Sequence, residues 1–158
     1  MPDIISDGMV KVGWVTTLSS LTSPTATQIT AGVDLESFLT PDGLAIELGD
    51  DEVDVSALNS TFSPTKPGRG TVSIELTFKD QGQANPPWTT FASRPAGYLV
   101  VRTGVAATTD WAASQRVDVY TVTAGDRKPI APAANEVAKF SVQLFSTADP
   151  SFAVTTAS

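Results

Sequence analysis

The chain has 158 residues, enough to bury a sizeable core in one domain, and its 41% hydrophobic and 17% charged content is globular, not disordered. With no cysteine and no histidine, disulfides, Ser-His-Asp or Cys-His catalysis and the usual zinc ligand sets are excluded. A net charge of −7 opposes tight nucleic-acid binding.

No apolar run approaches the roughly 18–20 residues that cross a bilayer. The start, MPDIISDGMVKVGW, lacks the basic-then-apolar pattern expected of a secretory signal. The charge is uneven: residues 1–54 hold ten acids and one base (net −9), and the remainder holds seven acids and nine bases (net +2). Acids on solvated turns account for this, as does a chain that presents opposite charge on different surfaces and stacks on copies of itself.

Thr, Ser, Val and Ala dominate, with 11 Gly and 11 Pro, a mix that favours strands joined by turns. VKVGWV (Val10–Val15) puts Val10, Val12 and Trp14 on one face. SPTATQI reads as a single helical turn capped by Ser23 with Pro24 at its first position. EVDVSAL (Glu52–Leu58) sets Val53, Val55 and Ala57 against Glu52, Asp54 and Ser56. NSTFSPTKPGRG (Asn59–Gly70) reads as one long loop, the most basic stretch, next to the most acidic one, ELGDDEVD. A connection of about twelve residues exceeds ordinary hairpin lengths, and such loops are usually functional or mobile.

TVSIELTFK (Thr71–Lys79) alternates most clearly, with Val72, Ile74, Leu76 and Phe78 opposing Thr71, Ser73, Glu75, Thr77 and Lys79. A one-residue slip there would bury Glu75. NPPWTTFAS reads as a short helix capped by Asn85 and started by Pro86, with Trp88 and Phe91 on one side, placed to plug an opening of the sheet. YLVVRTG (Tyr98–Gly104) is continuously apolar and suits a strand covered on both faces. In RVDVYTVTA, Val117, Val119 and Thr121 point away from Arg116, Asp118 and Tyr120. In KFSVQLF (Lys139–Phe145), within a strand read over Glu136–Phe145, Phe140, Val142 and Leu144 alternate with Ser141 and Gln143. SFAVT (Ser151–Thr155) is a short final strand. Trp14 and Trp88 read as core, and Trp111 as an exposed loop or contact residue.

Chemical motifs are scarce. There is no phosphate-binding loop. A calcium loop starting at Asp50 would need Gly and Glu where Val55 and Thr61 stand. No carboxylate pair is singled out for hydrolysis, and the two bases Lys66 and Arg69 do not make a nucleic-acid patch. No enzyme, cofactor or metal is expected. The polar faces carrying Glu52, Asp54 and Ser56, then Ser73, Glu75 and Thr77, then Ser141 and Gln143, meet either bulk water or the inside of something larger.

Five segments, ITAGVDLESFLTPDGLAIE, PGRGTVSIELTFKD, PPWTTFASRPAGYLVVRTG, QRVDVYTVTAGD and NEVAKFSVQLFS, in this order over nearly the whole chain, resemble the major tail proteins of long-tailed bacteriophages, especially siphovirus-type phages of actinobacteria. The resemblance implies a mainly β, tail-tube fold: two packed antiparallel sheets, a sandwich or partial barrel, with one short flanking helix and a long hairpin loop, all in a single domain over 1–158. It implies six subunits per ring, a continuous barrel around a bore, and rings stacked into a tube through which the genome leaves. The eight polar residues named above are then candidates for the bore. Residues 59–70 become the inter-subunit loop, with Phe62, Pro64, Lys66 and Arg69 meeting Asp50, Asp51 or Glu52 of a neighbour. Residues 1–10 and 147–158 become candidate arms. Implied partners are copies of the chain, tape-measure, tail terminator and distal tail proteins, and phage DNA in transit without sequence-specific binding. Implied location is the virion tail. The rival readings are an immunoglobulin-like decoration or receptor-binding module and a small carboxylate-based hydrolase.

Overall fold

Period-two alternation in TVSIELTFK becomes buried Ile74, Leu76 and Phe78 against exposed Ser73 and Glu75 in a computed structural model that describes residue 3 and residues 5–158. Eight strands and two five-residue helices follow one another: β1 (Val10–Val15), α1 (Ala26–Thr30), β2 (Val33–Asp34), β3 (Leu39–Asp54), β4 (Thr65–Lys79), α2 (Pro86–Thr90), β5 (Ala96–Thr103), β6 (Arg116–Pro129), β7 (Lys139–Ser146) and β8 (Ser151–Thr155). All strand pairs are antiparallel, in the order β2-β1-β5-β6-β7-β4-β3, with β8 also on β6.

β6 is the spine. Residues 118–123 pair with β5, Arg116–Val119 pair with β8, and Val122–Pro129 pair with β7. A bulge between Ala124 and Arg127 interrupts the last ladder, a device that bends a strand. The main core draws Val12, Trp14 and Leu99 from one half of the sheet and Leu76, Phe140 and Leu144 from the other, so the single sheet packs against itself. α2 and its C-cap residue insert two aromatics between the halves. Phe91 lies 5.0 Å from Trp14 and 5.7 Å from Phe78, and Trp88 lies 5.0 Å from Phe140, centroid to centroid. Pro86 starts α2 as expected. Asn85 sits at the cap position, but its Nδ2 donates to the Lys79 carbonyl (3.0 Å) and does not cap the helix.

A second core covers the outer face of β1, β5 and β6, built from Val15, Ile29, Val100, Trp111, Val117 and Val119. This is why Tyr98–Gly104 reads as continuously apolar. It also corrects the reading of β6. Tyr120 is 5% exposed and packs in the main core with Val122 and Ala124, because alternation here separates two cores, not core from water. Burial, with the Asp118 charge second, pushes its hydroxyl pKa up to about 12.

Trp111 is likewise buried. Its Nε1 donates to Asp34 Oδ1 (2.9 Å), and the Lys11 and Arg102 cations lie over its ring at 5.6 and 5.0 Å. Arg102, fully buried, donates to the carbonyls of Ala106, Thr109 and Asp110 and to Gln115 Oε1, at 2.8–3.1 Å, pinning the loop that carries Trp111. Burial pulls the Lys11 ammonium pKa down, but ion pairs with Glu36 (3.0 Å) and Asp34 (3.4 Å) outweigh it, and the net shift is upward.

α1 begins two residues later than expected. Thr25 is the cap, its Oγ1 accepting from the Gln28 N–H, while Pro24 stays outside the helix. The reason is distant in sequence: Ala157 donates to the Pro24 carbonyl (2.8 Å) and its own carbonyl accepts from Ala26 N–H (2.8 Å). The stretch 147–158, a candidate arm, is thus paired with its own chain through β8 and this bridge. Of the candidate arm at 1–10, residues 1, 2 and 4 lie outside the described residues.

Candidate assembly surfaces

The β3–β4 hairpin outruns the rest of the sheet. β7 accompanies β4 only as far as the Ser73–Phe145 pair, while β3 and β4 stay paired out to Asp54–Thr65. Residues Thr65–Gly70, expected in a loop, therefore belong to β4, and the connection is Val55–Pro64. Pro67, without an N–H to give, stands in this outer half, next to a bulge between the Asp50 and Glu52 pairings. Val53 and Val55, expected on a core side, are exposed: Val53 alternates with Glu47 and Gly49 to the face opposite the core, and Val55 lies in the connection past the strand. The connection carries Leu58, fully exposed, and Phe62 at 74% exposure.

Where the hairpin is still accompanied, strand register gathers five of the candidate bore residues on one face. Thr77 pairs with Ser141, Glu75 with Gln143, and Ser73 with Phe145. On β3, Glu47 opposes Ser73 and Ala45 opposes Glu75; on β6, Lys128 opposes Ser141. The opposite side of these strands is the main core. Ser141 is buried mid-sheet, Thr77 and Gln143 are half-buried, and Ser73 and Glu75 are exposed.

Glu52, Asp54 and Ser56 do not join this face. Odd-numbered β3 residues (Ala45, Glu47, Gly49) meet Glu75, Ser73 and Thr71 there, so the even-numbered Glu52 and Asp54 alternate to the Ile46 side. Ser56 lies beyond the strand. Hydrogen bonds from its hydroxyl and its N–H hold the Asp54 carboxyl below the usual carboxylate range. Glu47 and Phe145 also lie on the face of Ser73 and Glu75. Phe145, 53% exposed, follows Ser141 and Gln143 by simple alternation, so its signal was in the sequence; placing Glu47 needed the β3–β4 register.

The charges on the outer hairpin are exposed: Asp50, Asp51, Lys66 and Arg69, with Pro64 half-buried. Among the described residues no ion pair joins Lys66 or Arg69 to these acids. β3 ends the sheet, and among the described residues its only strand partner is β4. A bare edge invites pairing with another chain, and here it carries Pro41, Asp42 and the acidic run, which restrain indiscriminate contacts. Among the described residues no three potential ligands converge on a metal-sized site, and no helix is long and apolar enough to cross a membrane.

A family model described as phage tail tube protein matches residues 1–158. The chain belongs to the phage tail tube protein family. It is therefore a structural protein of the phage tail, located in the virion, of a kind that self-assembles into a tube with other tail proteins. The family is structural, not enzymatic. No curated protein matches the chain. Among solved structures, this tail tube protein superposes on a chain of the cryo-EM structure of the anti-feeding prophage (AFP) baseplate, 6-fold symmetrised, with a TM-score of 0.57. The two are 12% identical, and the match covers 96% of this chain and 95% of that one. The likeness is one of fold.

Proposed function

We propose that this tail tube protein forms hexameric rings stacked into a tube that conducts the phage genome, with the face of Ser73, Glu75, Thr77, Ser141 and Gln143 lining the bore. The observation that carries the reading is the register that places these side chains together on the far side of strands whose other side is core, next to the unpartnered edge of β3. Closing such sheets into a ring removes the edge. The sixfold symmetry of the AFP baseplate structure supports six copies. The face mixes hydroxyls, an amide and the carboxylates of Glu47 and Glu75 with the bases Lys79, Lys128 and Lys139, so acids beside the bases break up any continuous basic track for phosphates, and DNA slides through without sequence-specific contact.

The β3–β4 hairpin bridges subunits, with Lys66 and Arg69 against Asp50, Asp51 or Glu52 of a neighbour. Exposed pairs contribute only about 0–1 kcal/mol each, so they set register while apolar burial supplies affinity. Tape-measure, terminator and distal tail proteins complete the tail. Cryo-electron microscopy of the purified chain at high concentration tests this. Sixfold tubes with Glu75 and Gln143 on the bore are expected; dispersed globules, or tubes with this face outward, overturn it.

A further inference from the structure

Beside the base of the hairpin lies a cleft of about 550 Å³. Leu48 and Val72 form one side, Asp149, Pro150 and Phe152 the other, with Asp50 at the rim. It opens where β7 stops and β4 runs on, so the apolar side of the hairpin emerges there uncovered. Leu48 is exposed, and Phe152 is braced edge-on against Tyr120 (5.9 Å) but is itself exposed. The connection Val55–Pro64 carries the complementary set: two apolar side chains with no packing of their own, Leu58 and Phe62, just ahead of the base Lys66.

We propose that this cleft receives the hairpin tip of a second copy of the chain, Phe62 and Leu58 entering between Leu48 and Phe152, with Lys66 reaching the acids Asp50 and Asp149. The proposal rests on the tube reading and names the receiving surface within it. Three observations select a second copy as the occupant. The family assembles from copies of itself. The cleft carries two acids and no base, and on β4 the first charge after the tip is the base Lys66, facing Val53 one pair below Asp54. A molecule cannot fill its own cleft: from Leu48 to Asp54 the hairpin extends about 20 Å at ~3.3 Å per residue before the connection begins. Knob and socket on different surfaces make a heterologous contact, which propagates from copy to copy and does not stop at a dimer.

The absence of native cysteine makes the test direct. Phe62→Cys and Phe152→Cys are combined, the assembled protein is oxidised, and the products are separated without reductant. A ladder of covalent multimers that collapses on reduction is expected, while either single variant stays monomeric. Tubes that form without the ladder overturn the proposal. So does a ladder from Phe62→Cys alone, which means tip meets tip. So does a ladder from Phe62→Cys with Leu44→Cys, which sends the tip to the cleft beside the start of β3. An unaltered chain that never forms tubes overturns the tube reading and this proposal together. If the cysteine pair impairs assembly, a charge swap decides. Asp149→Lys should raise the concentration needed for assembly about three- to fivefold, and adding Lys66→Glu should restore it; failure to restore overturns the docking.

Discussion

Replacing Leu58 and Phe62 with serine separates the stability of the subunit from that of the assembly. Both side chains are exposed and belong to neither core, so the free subunit should melt within the equivalent of about 0.5 kcal/mol of the unaltered chain. If both become buried between copies, each contributes about 1.5–3 kcal/mol, or about 3–6 kcal/mol for the pair before ordering of the tip is subtracted. At 1.4 kcal/mol per factor of ten, even the lower figure raises the concentration needed for assembly by about a hundredfold. Pelleting of tubes across a dilution series reads that concentration, and thermal unfolding of the unassembled chain reads the subunit. An unchanged assembly threshold would refute the role of the tip. A subunit that melts many degrees lower would show that the tip packs on its own chain.

Other expectations follow from the remaining surfaces and from the two cores. Glu75→Leu should leave subunit stability within about 0.5 kcal/mol because Glu75 is exposed opposite the core, whereas a large loss on thermal melting would mean the face is inverted. Glu47→Lys with Glu75→Lys should slow genome ejection while tubes still assemble, and unchanged ejection kinetics would remove the electrostatic role of the bore. Arg102→Met should cost about 2–3 kcal/mol, read as a Tm lower by roughly 5–10 °C. The Thr109 carbonyl loses its Arg102 donor, while Ala106 and Asp110 keep Thr109 N–H and Gln115 Nε2. The exposed Asp126 carboxyl is held below the usual range by its hydrogen bond from Arg94. Its contribution is present above its unfolded pKa and is lost as pH falls through the lower folded value. Asp126→Asn should therefore melt below the unaltered chain near neutral pH, and the gap should close as acid protonates the Asp126 carboxyl.

What the sequence determined by itself is local and one-sided. Ile74, Leu76 and Phe78 alternate with Ser73 and Glu75 because one face is core, so the side each strand turns to the core was legible in the sequence, as it was for Phe140, Val142 and Leu144 against Gln143. The missing histidine and cysteine rule out disulfides and His- or Cys-based catalytic sets by composition alone. The five quoted segments likewise pointed to the family that the whole-chain match shows.

Only tertiary structure decided the rest, because it depends on residues far apart in the chain. Tyr120 and Trp111 are buried because β6 and the loop after β5 face a second core. Pro24 is held out of α1 by Ala157. Thr65–Gly70 is strand because β3 runs on to pair with it, and that pairing turns Glu52 and Asp54 away from Glu75 while bringing Glu47 beside Ser73. Alternation tells each strand which of its sides is apolar; the register between strands sets which polar sides share a surface, and no window along a single strand contains that information.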